Sequence, residues 1–289
     1  VDLNFNYKPK SKGYTGARLD LIDNNDILQQ LRRISAKNKT SLFHTMLSSF
    51  IAFISRVSQN KHITVGVPFA GQNIMNAETL IGNCVEMIGV HLEVEETDNL
   101  NIVSRKVSEF LEELNETGFL HKNNSEQSYN VVFNMIKNVN NSFNGTECQF
   151  FPIGISESKY DLFLTIIEFN NQVIMRFDYN QEVISERTIN RWACYFKNIL
   201  NAKIKEDNTA VSEISIFSDE EVDSIHQLSA YSYDYINHKL KADLLQYGLA
   251  EGEEVKVFIL DKNMMLLPIG MIGEIYIGPN NVEIYNTNH

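Results

Sequence analysis

The sequence predicts a layered α/β fold over residues 1–222, followed by a small β-rich appendage. Four segments carry apolar side chains at helical spacing, and between them lie segments with the alternating or continuously apolar pattern of strands. Because helices and strands follow one another along the chain, we expect a sheet with helices packed on it. The tail shows only two strand-like runs, at residues 255–261 and 272–278.

Two helices are predicted at the start of the α/β region. Thr40 is a favourable N-cap for the second of them, because its hydroxyl can accept a hydrogen bond from a free backbone amide. The apolar positions that define the two helices are Ile27, Leu28, Leu31 and Ile34, followed by Phe43, Met46, Leu47, Phe50, Ile51 and Ile54.

Three strands are predicted next. Residues 62–67 form a short β-rich run that we expect to stop at Pro68, since proline cannot donate to a strand ladder. Further strands fit residues 85–94 and 129–136, whereas the Asn-rich residues 138–158 are predicted to be irregular.

A hairpin gives the clearest strand pattern in the sequence. Residues 161–169 and 173–179 flank Asn170-Asn171, and asparagine tolerates the positive φ of a tight turn. The first of these strands is apolar on both faces, which predicts a position inside the sheet.

Two more helices complete the pattern. One begins at Asp98 or Asn99, and the other follows Ser185. Their apolar positions are Val103, Val107, Phe110, Leu111 and Leu114, and then Ile189, Trp192, Ala193, Phe196, Ile199 and Leu200.

Composition narrows the function classes. The net charge of −12 argues against a nucleic-acid binder, which normally presents a basic face. No apolar run reaches the length of about 18 residues that a membrane helix needs. The cysteines, at positions 84, 148 and 194, are odd in number and widely spaced, so we expect no disulfide framework, no zinc site and a reducing cytoplasm.

Six segments, in order, resemble motifs of the condensation domains of nonribosomal peptide synthetases. With the family pattern in parentheses, they are Thr40–Phe43 (T-L-F), His62–Gly71 (D-I-V-V-G-x-P-x-A-G-R), Leu80–Met87 (I-G-x-F-V-N-T), Val132–Met135 (V-M-F-N), Ser158–Leu162 (S-K-F-D-L), and Tyr179-Asn180 with the Trp192 helix. Among the departures from the pattern, Glu86 stands for the Asn of the third motif, and Gln72 for the Arg after A-G.

The tail resembles a different domain of the same assembly lines. Val257–Asp261 and Leu267–Gly278 are similar to the adenylation-domain segments V-Y-V-L-D and P-x-G-x-x-G-E-L-Y-I-G. The glycine-rich loop that binds phosphate in such domains has no counterpart in this sequence, so we expect no use of ATP.

The resemblance implies a chloramphenicol-acetyltransferase-like lobe with a mixed sheet. In the family, two such lobes face each other across a tunnel, and this chain matches the second. The implied organisation is a condensation-domain C-terminal lobe at residues 1–222, a linker at 223–254 and an adenylation-domain remnant at 255–289.

The implied reaction joins a carrier-bound amine to a carrier-bound thioester. Its expected partners are the N-terminal condensation lobe and peptidyl or aminoacyl carrier proteins, and the carrier proteins bring phosphopantetheine with them. We expect no directly bound cofactor, and neither a nucleic acid nor a membrane as a partner.

The family's H-H-x-x-x-D-G motif has no match here, since no two of the seven histidines are adjacent. We therefore assign no catalytic residue and expect the chain alone to be inactive. The alternative is a non-catalytic remnant or a docking platform for a carrier protein.

Three residues are candidates for lining the substrate tunnel. Asn134 lies in a predicted strand and could bind a pantetheine amide, because polar groups in buried strands need partners. Glu86 could sit where substrate amines pass, or it could be an exposed or paired carboxylate. Asp161 could shape the tunnel, or it could cap its own turn.

Overall fold

The computed structural model describes most of the α/β region and part of the tail. The described residues are 13–24, 26–70, 85–116, 129–136, 142–143, 146–147, 153–169, 172–205, 208–218, 221–223, 230–232, 254–260, 267 and 274–279.

The predicted helices and strands occur in the predicted order, and strands at 16–24, 142–143, 146–147 and 230–232, which the sequence pattern did not predict, are added to them. The elements are β1 (Gly16–Asn24), α1 (Asp26–Lys37), α2 (Leu42–Ser58), β2 (His62–Ala70), β3 (Val85–Glu93), α3 (Leu100–Glu116), β4 (Val131–Ile136), β5 (Ser142–Phe143), β6 (Thr146–Glu147), β7 (Leu162–Phe169), β8 (Gln172–Asn180), α4 (Glu186–Ile204), β9 (Ala230–Ser232), β10 (Glu254–Leu260) and β11 (Glu274–Pro279).

Six of the strands form one mixed sheet in the order β1-β8-β7-β4-β2-β3. The pairs β4–β7 and β2–β4 are parallel, and the other neighbouring pairs are antiparallel. The predicted α/β fold with a mixed sheet is confirmed. The strand β7, which is apolar on both faces, lies between β4 and β8, as its sequence predicted.

Aromatic side chains join the helices to one face of this sheet. The ring of Phe133 on β4 lies 5.6 Å from that of Phe50 on α2, centroid to centroid. On the neighbouring part of the sheet, the Phe177 ring of β8 lies 6.3 Å from Phe196 of α4. These four rings are fully buried, so the core of the α/β region lies between the helix layer and this face, which we call the helix face.

Helix caps differ from the prediction at one position. Ser41, not Thr40, caps α2: its hydroxyl accepts a hydrogen bond from the His44 amide at 3.1 Å. Thr40 lies one residue earlier and places its hydroxyl 3.2 Å from that of Ser108 on α3. The Thr40 prediction was wrong because adjacent Thr and Ser are both good caps, and the sequence pattern does not choose between them.

The other two caps agree with the sequence. The Asn99 side-chain oxygen accepts from the amides of Asn101 and Ile102, both at 3.0 Å, and so caps α3. The Ser185 hydroxyl accepts from the Thr188 amide at 3.1 Å and caps α4.

Pro68 does not end β2, which was a second error in the prediction. The strand continues to Ala70, and the register pairs Pro68 with Met87 on the antiparallel neighbour β3. The bridge to β4 on the other side of β2 lies at Gly66, before the proline. A proline is compatible with a strand where its missing amide is not required by the ladder.

The stretch predicted to be irregular, 138–158, contains the short antiparallel pair β5–β6. The turn predicted at Asn170-Asn171 lies outside the described residues, although the strands that flank it pair as a hairpin.

The chain divides into two compact units, with the boundary between Ile214 and Ser215. The second unit contains an antiparallel sheet in the order β11-β10-β9. Its buried apolar side chains include Phe258 and Leu260 on β10. Across both units, no helix in the described part of the chain is long and apolar enough to cross a membrane.

Candidate functional site

Asn134 lies on the sheet face opposite the helices, which we call the second face. Its neighbour Phe133 points into the helix layer, and successive side chains of a strand alternate between faces. Asn134 pairs in register with Thr165 on β7, so both belong to the second face. Its side-chain oxygen accepts a hydrogen bond from the Met135 amide at 2.8 Å, and the side chain is half-buried. The amide NH₂ group is therefore the end that can serve a ligand as a donor.

Glu86 belongs to the helix face, not to the face of Asn134. Gly66 of β2 is in register with both Val132 and Gly89, which places those residues on the second face. Glu86 is three residues from Gly89 and so has the opposite orientation. It is the second residue of the edge strand β3 and is half-buried.

Asp161 lies immediately before β7 and is 7% exposed. Its amide donates to the Asn130 carbonyl at 2.8 Å, and its carbonyl accepts from the Asn180 amide at 3.1 Å. The Asp161 backbone therefore joins the segment before β4 to the end of β8.

The structure does not bring the three candidates together. Asn134 and Glu86 are separated by β2 and lie on different faces of the sheet. Asp161 precedes Thr165, the partner of Asn134, by four residues, a distance of about 13 Å along a strand. Only Asn134 among them has a position on the second face within a strand.

A checkerboard of charges on the second face was not recognised in the sequence. Arg18 and Asp20 on β1 lie directly opposite Asp178 and Arg176 on β8. Arg18 donates to Asp178 at 2.5 and 2.9 Å, and Arg176 donates to Asp20 through two bonds of 2.8 Å. The Asp178 side chain, through a hydrogen bond and its charge, raises the pKa of Arg18, while partial burial opposes the shift. Alternating polar residues in β8 were visible, but their partners 160 residues away were not.

An isoleucine row runs across the same face beside these charges. Ile22, Ile174, Ile167 and Ile136 occupy matching register positions on β1, β8, β7 and β4. The two middle residues are buried, whereas Ile22 is 53% and Ile136 is 40% exposed. Asn134 is therefore flanked by an apolar side chain that is accessible to a ligand.

Two glycines leave a gap in the side-chain layer of the second face at β2 and β3, and the Tyr129 side chain fills this gap. Gly66 and Gly89 are cross-strand partners without side chains. A Cβ at Gly66 would lie 2.9 Å from the Tyr129 Cβ, and one at Gly89 would lie 2.8 Å from both the Tyr129 hydroxyl and His91 Nε2. Burial raises the pKa of Tyr129. The His91 Nδ1 lies 2.9 Å from the Thr64 hydroxyl, so a polar cluster adjoins the ring.

Polar side chains on the second face include Asn134, Thr165 and the paired charges of β1 and β8. Among the described residues, no three His, Cys, Asp or Glu side chains are grouped closely enough to hold an ion. The polar groups that this face does present are hydrogen-bond donors and paired charges, which suit binding of an uncharged polar ligand.

Comparison with known proteins identifies the family. The sequence model described as "Condensation domain" matches residues 4–226, most of this chain. The chain belongs to the condensation-domain family. The errors of local prediction at Thr40 and Pro68 do not affect this assignment.

Curated relatives are peptide synthetases. A component of the plipastatin synthase of Bacillus subtilis (strain 168) is 23% identical over 279 residues, which cover 88% of this chain and 8% of that protein. Tyrocidine synthase 3 of Brevibacillus parabrevis is 24% identical over 228 residues, 74% of this chain and 4% of its own length. The chain thus spans only a small fraction of these relatives.

Solved structures confirm the fold. The four-domain nonribosomal peptide synthetase holo-AB3403, solved with AMP and glycine, has a TM-score of 0.66 at 14% identity and covers 91% of this chain and 22% of its own. The first condensation domain of the CDA synthetase has a TM-score of 0.60 at 16% identity, covering 73% of this chain and 49% of its own. The X-domain from teicoplanin biosynthesis has a TM-score of 0.60 at 13% identity, covering 75% and 54%. The matches to the condensation domain and the X-domain thus span about half of each of those solved chains.

Proposed function

We propose that residues 1–222 form the C-terminal lobe of a condensation domain that makes amide bonds between carrier-bound substrates. The observation that carries the proposal is the family match over residues 4–226, combined with coverage of only 49% of a solved condensation domain. The other half would be a lobe that supplies the H-H-x-x-x-D-G motif.

The chemistry follows from the two substrates. The amine nitrogen of one substrate attacks the thioester carbonyl carbon of the other, so that a C–N bond forms and the C–S bond breaks. The proton lost by the amine ends on the departing thiolate. The contribution of this lobe is to hold the reactants close together, which alone lowers the barrier substantially. The histidine that would accept or donate this proton would belong to the other lobe.

Asn134 is the residue that we propose to contact the substrate arm. Its NH₂ group is a donor on the second face, and the exposed Ile136 lies two residues away on the same face. Phosphopantetheine carries amide carbonyls and a branched apolar carbon, which fit a donor beside an aliphatic side chain. Glu86, on the helix face, and Asp161, at the strand start, have weaker support as tunnel residues.

The experiment joins this chain to a condensation lobe that carries H-H-x-x-x-D-G and measures amide formation between two loaded carrier proteins. We expect activity in the joined protein, and a loss of about tenfold in Asn134→Leu, the effect of one hydrogen bond. Asn201→Leu, at an exposed position of α4, is the matched control and should be unchanged. A folded joined protein without activity would contradict the proposal.

A docking platform is the second candidate function. The solved complex of the teicoplanin X-domain with OxyB shows that a relative in fold can bind a partner protein. Under this alternative, the chain alone binds a loaded carrier protein in calorimetry, and the joined protein binds it without forming an amide. Enzymatic turnover by the joined protein would exclude it.

The remaining assignments are also proposals. We infer that residues 223–254 are a linker and 255–289 an adenylation-domain remnant, supported by the alignment with the four-domain synthetase over 91% of the chain. We place the protein in the cytoplasm, with carrier proteins as partners that bring phosphopantetheine. Mass spectrometry of carrier proteins captured by the full chain tests the partner assignment.

A further inference from the structure

Residues 13–16, which we call the strap, are tied to the end of β8 by a carboxylate. The Gly13 amide donates to Glu182 Oε2 and the Thr15 hydroxyl donates to Glu182 Oε1, both at 2.8 Å. The Asn180 side-chain NH₂ donates to the Gly13 carbonyl at 2.7 Å. One side chain, Glu182, therefore accepts two of the bonds that hold the strap.

The opposite edge of the strap holds a second segment, residues 153–158. The Gly16 amide donates to the Ser156 carbonyl at 2.9 Å, and the Ser158 amide donates to the Tyr14 carbonyl at 2.7 Å. Thr15 and Glu157 form an antiparallel bridge between these two bonds. The strap is thus the middle strand of a short three-part ladder.

The fit between the strap and its neighbours leaves no room for larger residues. A Cβ at Gly16 would lie 2.4 Å from the backbone carbonyl carbon of Glu157. A Cβ at Gly13 would lie 2.0 Å from Glu182 Oε1. At Gly16 the contact is with backbone, so a side chain there would separate the strap from residues 153–158; at Gly13 it is with the end of a glutamate side chain, which a larger residue would displace from its hydrogen bonds.

Most of the 153–158 segment is exposed, although Ser158 at its end is buried. Residues 153, 154, 156 and 157 are exposed, and Ile153 is 73% exposed. Besides the strap, Arg18 at the start of β1 holds it, through a bond of 2.5 Å from its guanidinium to the Ile153 carbonyl. Because it buries few apolar atoms, its position depends on these hydrogen bonds.

We propose that the strap couples two sets of hydrogen bonds. Glu182 holds the strap on one side, the strap holds residues 153–158 on the other, and loss of the bonds on either side weakens those on the opposite side. Since coupling between two contacts is reciprocal, displacing the 153–158 segment must also weaken the Glu182 contacts. This device does not depend on the proposed amide-forming function.

Amide hydrogen exchange on the full chain tests the coupling. In Glu182→Ala, which removes two hydrogen bonds to the strap, we expect exchange at the Ser158 amide to accelerate about fivefold, because part of the contribution of those bonds is transmitted to the Ser158 contact. The amide of Ile166 in β7 should be unchanged. Glu109→Ala, which removes an exposed carboxylate on α3, is the control and should alter neither amide.

The reverse experiment uses Gly16→Ala, which pushes Glu157 away, and reads the Gly13 amide. Faster exchange at Gly13 supports the coupling. Should this variant fail to fold, Thr15→Val, which deletes a hydroxyl donor to Glu182, gives a second and milder test of the forward direction, with Ser158 as the reporter. Unchanged exchange at Ser158 in Glu182→Ala, or equal acceleration of Ser158 and Ile166, overturns the proposal.

Discussion

Arg18 and Asp178 face each other across the β1–β8 ladder, and the guanidinium donates to both carboxylate oxygens. The pair is largely shielded, with 17% and 14% of the two side chains exposed. Two residues further along each strand, Asp20 of β1 pairs with Arg176 of β8, so the acidic and basic partners exchange strands. A slip of two residues would bring like charges opposite one another, so the checkerboard favours a single register for the edge strand β1.

We predict that Arg18→Met destabilises the protein by about 1–3 kcal/mol, because Asp178 is left without its bidentate partner in a partly buried site. Arg105→Met, which removes a solvent-exposed pair with Glu109 on α3, is the matched control and should change stability by less than about 0.5 kcal/mol. Urea denaturation of both variants measures the difference. Equal effects would show that the Arg18 pair contributes no more than a surface contact.

Gly66→Ala is predicted to destabilise the protein by about 1–3 kcal/mol, since its Cβ would meet the stiff base of the Tyr129 side chain at 2.9 Å. The clash is with the Cβ and Cγ of the tyrosine, so Tyr129→Gly, which removes both atoms, should absorb most of the cost. The double variant is then more stable than the sum of the single effects, as a thermal-denaturation cycle can show. Strict additivity would mean that the glycine is required by the backbone and not by the ring.

Phe50 lies at the centre of the aromatic cluster that joins α2 to the sheet and to α4. It is fully buried, so Phe50→Ala should cost about 3–5 kcal/mol through lost burial and the cavity it leaves. Ile153→Ala, at a position 73% exposed, should have an effect of less than about 0.5 kcal/mol. The midpoints of chemical denaturation give both values, and a small loss for Phe50→Ala would indicate a loosely packed core.

Stability should fall as the pH falls below the ordinary histidine value of 6.5, because burial lowers the pKa of His44 in the folded protein. The nearby charge of Glu112 opposes this shift. The unfolded chain therefore takes up the proton first, and stability is lost from pH 6.5 down to the lower folded pKa. The neutral ring places its Nδ1 3.0 Å from the Ser108 hydroxyl, a contact between α2 and α3.

His44→Gln should flatten this dependence. Denaturation curves at about pH 7.5 and about pH 5, on either side of the histidine range, compare the variant with the parent. His91→Gln serves for comparison, since burial also lowers the pKa of His91 and its removal should flatten the profile independently. An unchanged slope in His44→Gln would assign the loss of stability at acid pH to other groups.

Local patterns predicted the elements well where burial is periodic. The apolar positions of α1 and α4 agree with the buried residues of those helices, because the helical repeat places one stripe against the core. The continuous apolar run of β7 correctly indicated an interior strand. The Ser41 cap and the passage of β2 through Pro68 were missed, since each depends on which backbone amide lacks a partner.

The candidate site was less predictable than the fold. Glu86 and Asn134 were grouped by the family motifs in which they stand, but register places them on different faces of the sheet. Register is a relationship between strands that are distant in sequence, and one residue of shift reverses a side chain. The Arg18–Asp178 contact was hidden for the same reason.

The sequence by itself determined the family, the α/β class, the order of the four helices and the absence of an adjacent histidine pair, because these depend on composition and local pattern. Only the tertiary structure decided which side chains share the second face, how the strap joins two distant segments and where the charges pair. The physical reason is that hydrogen bonding across a sheet, and not proximity along the chain, sets which residues meet.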